Sequence, residues 1–323
     1  MIHRKILPDL SNLDWSRAQV VVEPEGHRPG FWVGAADVIN DPRDGCFYLY
    51  YRIRRPIDPA DPLQRGSRCR IARSEDGVHF EDVWELNASE LDTVSIEKGC
   101  FDLTRDGRAR LYLSYECPEG KGWQVDLLEG PTFDALDVGA RRTVLHPRDL
   151  PGAWHVKDPV VLQQDDRLLL YANVHEPERG PGETTHLATS PDGVEFTWQG
   201  RVLDTGDGWD AFTSRITDLV VAPPFFVLFY DGAASHVHLY EEEAGVAVGL
   251  APDAFVKVTT NGPLFRKGPR RDVPYPDGPW LASVDSVRYV IAVPHDGGLL
   301  VYAEHTNEDG SHDIRVHPIG LAV

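Results

Sequence analysis

The sequence predicts an all-β fold, and two observations carry that prediction. Short runs rich in aromatic and aliphatic residues recur between turns of Gly, Pro and Asp, as strands do. No long stretch shows the 3.6-residue period of an amphipathic helix, so helices should be few. The five clearest strand runs are residues 47–52, 111–116, 168–174, 225–232 and 299–305.

A unit of about 60 residues repeats along the chain. Each strand run follows an earlier strand that opens with an acidic residue, and successive acids lie 60, 61, 60 and 67 positions apart. The five acids are Asp37, Glu97, Asp158, Asp218 and Asp285. An all-strand unit of this length, repeated, is typical of a β-propeller. The sequence therefore predicts a five-bladed β-propeller.

The repeat also predicts the domain organisation. We expect one domain over residues 1–323, with blades at about 31–90, 91–150, 151–208, 209–275 and 280–323. The last blade shows only three clear strands. Residues 17–25 form a spare strand near the N-terminus, and pairing it with the last blade would close the ring and cover open strand edges.

A repeated turn supports the blade pattern. The letters SEDG at 74–77 and SPDG at 190–193 stand before similar residues, 116 positions apart. Asp–Gly suits a tight turn because Gly tolerates positive φ. We expect both turns to lead into the outermost strand of a blade.

The composition of the chain argues against several classes of function. The 323 residues carry 51 Asp and Glu against 32 Lys and Arg, a formal charge of −19, which disfavours nucleic acid and anionic membranes as partners. The sequence shows no secretion signal, no membrane-length apolar stretch and no nucleotide-binding loop. Four cysteines without CxxC spacing indicate free thiols and a cytoplasmic location. We expect no cofactor, and the oligomeric state stays open.

The five acids that recur with the repeat, here called the phased acids, indicate an enzymatic function. Innermost propeller strands line a central channel, so acids near their starts should meet around its mouth. Such acids can also serve only to pack blades or cap turns. Clustered carboxylates shift one another's pKa, and glycoside cleavage uses such a set: one acid protonates the leaving oxygen, and a carboxylate activates water or attacks the sugar.

On these residues the chain resembles the five-bladed propeller glycosidases, the clan of glycoside hydrolase families 43 and 32, with families 62, 117 and 130 as relatives. Asp37 matches the first acid position of the clan, and Asp158, in VKDPVV, matches the second in spacing and motif. Asp218 matches the third in spacing, but the clan normally has Glu there. The resemblance implies Asp37 as general base or nucleophile and Asp158 as modulator and hydroxyl ligand, with Glu97 or Asp218 as proton donor.

Other residues near the acids are candidates for substrate binding. Basic residues could balance charge, bind sugar hydroxyls or hold an anion, and aromatic residues could pack the interior or stack on sugars. Family 130 enzymes are largely phosphorolytic, so the basic residues leave phosphorolysis open. The candidates are Trp32, Arg52, Lys98, Trp154, His155, Lys157, Trp209, Arg215 and Asp285. No tight metal-binding motif is present, and we expect no metal.

The leading interpretation is a glycoside hydrolase that acts on a small oligosaccharide or glycoside, with furanosides among the candidates. A phosphorylase of the family 130 type and a non-catalytic carbohydrate-binding propeller are the alternatives. The sequence leaves open the sugar, the linkage and whether the reaction retains or inverts configuration, because the last depends on the separation of two carboxyl groups.

Overall fold

The computed structural model describes residues 10–57, 66–119, 122–179, 182–266, 269–275 and 278–320. Within these ranges the elements that can be given bounds are β-strands and short 3-10 helices. No helix in this part of the chain is long and apolar enough to span a membrane. The chain divides into two compact units: Ala35–Val202, the middle unit, and Met1–Gly34 with Leu203–Val323, the terminal unit.

The strands, in chain order, are β1 (Gln19–Val22), β2 (Trp32–Asn40), β3 (Phe47–Arg54), β4 (Arg68–Ser74), β5 (Glu81–Asn87), β6 (Ile96–Leu103), β7 (Ala109–Glu116), β8 (Trp123–Gly130), β9 (Asp137–Leu145), β10 (His155–Gln164), β11 (Arg167–His175), β12 (Glu183–Ser190), β13 (Thr197–Leu203), β14 (Thr213–Ala222), β15 (Phe225–Ala233), β16 (Glu243–Ala251), β17 (Ala254–Lys257), β18 (Asp272–Pro274), β19 (Leu281–Ser283), β20 (Val287–His295), β21 (Gly298–Thr306) and β22 (His312–Ile319). The 3-10 helices are Trp15–Arg17, Ala88–Leu91, Pro147–Asp149, Pro177–Arg179 and His236–His238.

The middle unit consists of antiparallel meanders. Strands β2 to β5, β6 to β9 and β10 to β13 pair in sequence order. The second strand of each meander is almost wholly buried, because both of its faces pack against neighbours. Two hydrophobic clusters fill this unit, one around Tyr50 and Leu113 and the other around Leu170 and Val174. The strands predicted at 47–52, 111–116 and 168–174 are confirmed as parts of β3, β7 and β11.

The terminal unit repeats the pattern. Strands β14 to β17 form one antiparallel meander, and β20, β21 and β22 form another. Strand β1, from the predicted spare segment at 17–25, pairs antiparallel with β22 and sets Gln19 opposite Val316. Trp15, Val227 and Val301 lie in the core of this unit. The strands predicted at 225–232 and 299–305 are confirmed as β15 and β21.

A register irregularity recurs near the start of the first strand of a meander. It lies in β6, β10, β14 and β20, between the residues Ile96/Gly99, Lys157/Val160, Ile216/Asp218 and Arg288/Ile291 respectively. Such bulges re-aim side chains and are common next to active sites. Glu97 and Asp158 lie inside the irregularity, whereas Asp285 precedes β20 and Tyr289 takes the equivalent place there. The last interval between acids is longer than the others because the chain between β17 and β20 includes the extra strands β18 and β19.

The repeated turns form the same hydrogen bonds, which confirms the prediction that they are equivalent. The Ser74 hydroxyl accepts the Gly77 N–H at 3.0 Å, and the Ser190 hydroxyl accepts the Gly193 N–H at 2.8 Å. Both glycines have positive φ, 74° and 77°. The turns join β4 to β5 and β12 to β13, so each leads into the outermost strand of its meander.

Candidate active site

Lys98 lies at the centre of the middle unit. Its side chain is fully buried, and its Nζ atom lies 3.4 Å from Oδ1 of Asp37 and 3.1 Å from the carbonyl oxygen of Pro159. Both partners are 61 positions away, one in each direction. One ammonium group therefore joins the first strands of three successive meanders, β2, β6 and β10.

Asp37 is held at both oxygens. Oδ1 faces Lys98, and Oδ2 accepts the Phe101 N–H at 2.8 Å. In the terminal unit, Asp218 uses Oδ2 in the same way, accepting the Ala292 N–H of the next first strand at 2.8 Å. Its Oδ1 accepts the N–H of Leu219. Both acids thus bond the backbone of a neighbouring meander, as in the packing role considered for the phased acids.

Glu97 is a buried carboxylate between two guanidinium groups. Arg52 bonds one carboxylate oxygen and Arg54 bonds the other, and all three side chains are buried. Hydrogen bonds between guanidinium and carboxylate are strong and favour the ionised acid. This environment suits a base or a charge-stabilising group better than a proton donor.

Glu116 is an acid that the sequence reasoning did not select. It ends β7, which pairs with the β6 strand carrying Glu97, and its side chain is half-buried. Burial, and next the negative charge of Glu97, raise the pKa of Glu116. A carboxyl group whose pKa is raised beside a second carboxyl group is the arrangement expected of a general acid. In the sequence, Glu116 is recognisable only as an acid at the end of the predicted strand 111–116. It does not share the spacing of the five repeated acids, so that spacing could not identify it.

Asp158 is almost fully buried and has an unusual backbone conformation. Its φ is 53°, and its N–H donates to the Ser114 hydroxyl at 3.1 Å. The same hydroxyl donates to the carbonyl oxygen of Lys98 at 2.9 Å, and the Asn173 amide lies 3.4 Å from Oδ2 of Asp158. Neighbouring strands therefore fix the carboxylate in place near the Lys98 backbone.

A second polar group lies at the start of β10. Oε1 of Glu183 lies 3.0 Å from Nε2 of His155 and 3.1 Å from Nζ of Lys157. The ammonium of Lys157 also lies 5.4 Å from the ring centroid of Trp123, within the range of a cation–π contact. Glu183 was missed because it opens a third strand and is out of phase with the five acids.

Trp154 presents the exposed aromatic surface of this group. It is 56% exposed, and its ring centroid lies 5.4 Å from that of His175 and 6.0 Å from that of His155. An exposed indole beside hydrogen-bonding groups is well suited to stack on the apolar face of a sugar.

The terminal unit holds a separate buried network of charges. Arg215 pairs with Glu242, and Arg288 lies between Glu242 and Glu304. The Arg288 guanidinium carbon lies 4.1 Å from the ring centroid of Trp32. Trp32 is 2% exposed, so it packs inside the unit.

Asp231 lies beside that network and has a strongly raised pKa. It is fully buried, and burial together with the Glu242 charge raises its pKa well above the usual range, although Arg215 and Arg288 oppose the shift. Both of its oxygens lie close to the Tyr289 N–H, at 3.0 and 3.1 Å. Tyr289 occupies the irregularity of β20, so Asp231 fixes that bulge.

Two other predicted residues also lie in the terminal unit. The Trp209 indole donates to the carbonyl oxygen of Thr259 at 2.7 Å and stacks on Tyr230. Asp285 is exposed, with Oδ1 lying 3.6 Å from Nε2 of His305. The middle unit thus joins Asp37, Lys98 and the Asp158 strand, and it also contains Arg52, Glu97, Trp154, His155 and Lys157, whereas Trp32, Trp209, Arg215, Asp218 and Asp285 belong to the terminal unit.

One group of side chains has the composition of a metal site. Ligand atoms of Cys117, Glu119 and His146 lie within 4.8 Å of one another. The backbone N–H of Arg148 donates to Nδ1 of His146, which places the ring proton on Nε2, the atom that faces Glu119 at 3.4 Å. Burial raises the pKa of the Cys117 thiol to about 11. In this structure the three side chains contact one another, with Sγ of Cys117 4.0 Å from Nε2 of His146.

Comparisons with known proteins relate this architecture to carbohydrate enzymes. No protein-family model and no curated protein sequence matches the chain significantly. Among solved structures, a β-1,2-mannobiose phosphorylase from Listeria innocua matches with a TM-score of 0.62 and 16% identity, over 92% of this chain and 93% of that one. An α-L-arabinofuranosidase from Lactobacillus brevis matches with a TM-score of 0.62 and 13% identity, over 88% and 90%. A thermostable family 43 glycoside hydrolase matches with a TM-score of 0.60 and 13% identity, over 92% of both chains.

At sequence identities of 13–16%, the similarity to these three structures shows a shared fold. It extends over nearly the whole length of each chain, so it includes both units and every meander rather than one motif. The chain therefore shares the fold of the propeller glycosidases, with the family 130 enzymes among its structural relatives, and the resemblance predicted from the phased acids is confirmed at that level.

Proposed function

We propose that the protein is a glycoside hydrolase that acts on a small oligosaccharide or glycoside. The observation that carries the proposal is the arrangement in the middle unit, where Lys98 joins the strands of Asp37 and Asp158 and Glu97 lies beside it in sequence. Cleavage of a glycosidic bond needs an ionised carboxylate and a protonated acid in one site. The shared fold with family 43 hydrolases supports the same reaction class.

Hydrolysis fits the charges better than phosphorolysis. The four basic residues that the sequence selected each have a carboxylate partner, in the pairs Lys98–Asp37, Arg52–Glu97, Lys157–Glu183 and Arg215–Glu242. A phosphate ion would have to displace a carboxylate from these cations and would meet its negative charge. The similarity to a β-1,2-mannobiose phosphorylase keeps phosphorolysis as the second candidate.

The geometry also supports particular roles. Asp37 is the general base or nucleophile, and Asp158 orients substrate hydroxyls and adjusts the charge of the site. For the proton donor we favour Glu116 over Glu97 and Asp218. Glu97 is paired with arginines, and Asp218 bonds two backbone N–H groups, whereas the pKa of Glu116 is raised.

We further propose that the strands form five blades. The strands β2, β6, β10, β14 and β20 each open a run of antiparallel strands, and β1 pairs with β22 in the place of a missing fourth strand. An experimental structure of the full chain tests this, and a sixth blade or an unpaired β1 would contradict it.

The experiment that tests the function compares turnover with and without phosphate. The full-length protein is incubated with aryl glycosides of mannose and arabinose and with short oligosaccharides, and products are separated by ion-exchange chromatography. We expect free sugar to be released at the same rate in both conditions. Sugar 1-phosphate formed only in the presence of phosphate would establish phosphorolysis instead.

Two controls separate catalysis from binding. Asp37→Asn, which is nearly isosteric, should lower turnover by about 10²–10⁴-fold, the usual contribution of an acid or base. Calorimetry with the same sugars then measures affinity in the wild type and in this variant. Saturable sugar binding without turnover on any substrate would favour the non-catalytic carbohydrate-binding alternative.

A further inference from the structure

The backbone of Asp158 takes a conformation that needs support from its surroundings. Its φ of 53° lies in the left-handed region, which is unfavourable for a residue with a side chain, although Asp tolerates it better than most. Such a conformation persists only where neighbouring groups fix it. The residue is 1% exposed, so its N–H needs an acceptor within the protein.

Ser114 supplies that acceptor. Its hydroxyl accepts the Asp158 N–H at 3.1 Å and donates its own proton to the carbonyl oxygen of Lys98 at 2.9 Å. A serine hydroxyl has one proton to donate, and its lone pairs remain for the N–H. The side chain is fully buried, so water does not stand in for it. One hydroxyl therefore joins β10, which carries Asp158, to β6, whose Lys98 ammonium contacts Asp37.

The terminal unit supports a comparable residue with a different acceptor. Tyr289 has a φ of 49° and lies in the register irregularity of β20, as Asp158 does in β10. Its N–H lies 3.0 and 3.1 Å from the two carboxylate oxygens of Asp231. Asp231 lies on β15 and Ser114 on β7, each the second strand of the preceding meander. In both units, then, the second strand of one meander fixes the positive-φ residue of the next.

We propose that Ser114 is a positioning residue for the Asp158 carboxylate. The inference rests on the proposed function, in which Asp158 orients substrate hydroxyls and adjusts the charge of the site. Without the hydroxyl, the Asp158 N–H is buried without an acceptor, which is unfavourable, and the bulge shifts to relieve it. A shift of about 1 Å in a catalytic group can cost about 10²-fold in rate.

A double-mutant cycle tests whether Ser114 acts through Asp158. The readout is kcat/KM on the aryl glycoside that the wild type cleaves fastest. Ser114→Ala should lower it by about 10–10²-fold in the wild-type background. In the Asp158→Asn background the same substitution should cost about 2-fold or less, because the carboxylate that Ser114 positions is gone. Equal losses in the two backgrounds would overturn the proposal.

A pair of larger substitutions separates the hydroxyl from the volume of the side chain. Ser114→Thr and Ser114→Val have nearly the same shape, and only the threonine keeps a hydroxyl. We expect kcat/KM to be about 10-fold higher in Ser114→Thr than in Ser114→Val, the contribution of the hydroxyl and its hydrogen bonds. Equal turnover in the two variants would show that the hydroxyl does not position the acid.

Ser190→Ala is the matched control. The Ser190 hydroxyl is also buried, accepts the N–H of the positive-φ residue Gly193 at 2.8 Å and donates to Oδ1 of Asp192 at 2.9 Å, but it lies in the turn between β12 and β13. This variant should lose stability in urea and keep the kcat/KM of the wild type. A loss of kcat/KM equal to that of Ser114→Ala would overturn the proposal.

The wild type separates failure of this inference from failure of the proposed function. Absence of turnover in the wild type on every glycoside would contradict the proposed function and, with it, the role of Ser114. Turnover in the wild type together with equal losses in both backgrounds of the cycle would contradict the role of Ser114 alone.

Discussion

The Nζ atom of Lys98 lies 3.4 Å from Oδ1 of Asp37 inside the middle unit, where the lysine side chain has no exposure to solvent. The same ammonium donates to the carbonyl oxygen of Pro159. A desolvated charge is tolerated only when it is paired, so this contact gives the buried ammonium a partner and holds three meanders together.

Replacing Lys98 by Met should destabilise the fold. Breaking a buried ion pair by removing one partner costs about 3–5 kcal/mol, because the other charge stays buried without compensation. Urea denaturation measures the loss, and Arg148→Met, at an exposed site, serves as the control. The double variant Lys98→Met/Asp37→Asn should recover part of the loss. Equal stability of the single and double variants would show that the pair is not coupled.

Glu97→Gln should shift the titration of Glu116. The negative charge of Glu97 contributes to the raised pKa of Glu116, so its removal lowers that pKa. If Glu116 donates the proton, the basic limb of the pH profile of kcat/KM moves to lower pH. The profile is measured on a substrate with a poor leaving group. An unchanged limb would exclude Glu116 as the donor.

Glu116→Gln should slow turnover by an amount that depends on the leaving group of the substrate. A missing proton donor slows substrates with poor leaving groups by about 10²–10⁴-fold, whereas good leaving groups need little protonation. Aryl glycosides with a graded series of phenols provide the measurement, and Glu119→Gln, a change of an exposed acid three residues further along the chain, is the control. A uniform loss across the series would indicate a structural role.

Trp154→Ala should raise KM more than it lowers kcat. The ring is 56% exposed, so its removal leaves the core intact, and an aromatic contact contributes about 0.5–1.5 kcal/mol. The expected change is about 2–10-fold in KM, with most of it restored in Trp154→Phe. Trp209→Phe, which removes a donor to the Thr259 carbonyl, should instead lower the free energy of unfolding.

Asp231→Asn should change how stability depends on pH. Because the folded-state pKa of Asp231 is raised, folding takes up a proton, and its contribution to stability falls as pH rises from the ordinary carboxyl range toward the folded pKa. The asparagine of the variant has no proton to lose, so the variant does not lose stability in this way. The free energy of unfolding of the variant minus that of the wild type should therefore increase as pH rises. Urea titrations at pH 5, 7 and 9 test the sign; a difference independent of pH would contradict it.

The strands and turns were predictable because their signals are local. Alternation, aromatic content and the Asp–Gly turns placed β3, β7, β11, β15 and β21 correctly, and the interval near 60 residues revealed the repeat. The same interval placed Asp285 in phase with the other acids. The register irregularity of β20 instead contains Tyr289, because the pairing of β20 with β21, and not the spacing of acids in the sequence, decides where the register shifts.

The sequence by itself determined that this protein is all-β, repetitive and acidic, and that acidic residues recur along it at intervals of 60 to 67 positions. Tertiary structure alone decided what each carboxylate contacts: Arg52 and Arg54, more than 40 positions away, bond the Glu97 carboxylate, and burial together with the charge of Glu97 raises the pKa of Glu116. The physical reason is that strand formation depends on near neighbours in the chain, whereas the protonation of an acid depends on solvent exposure and on charges that distant segments bring within a few ångströms.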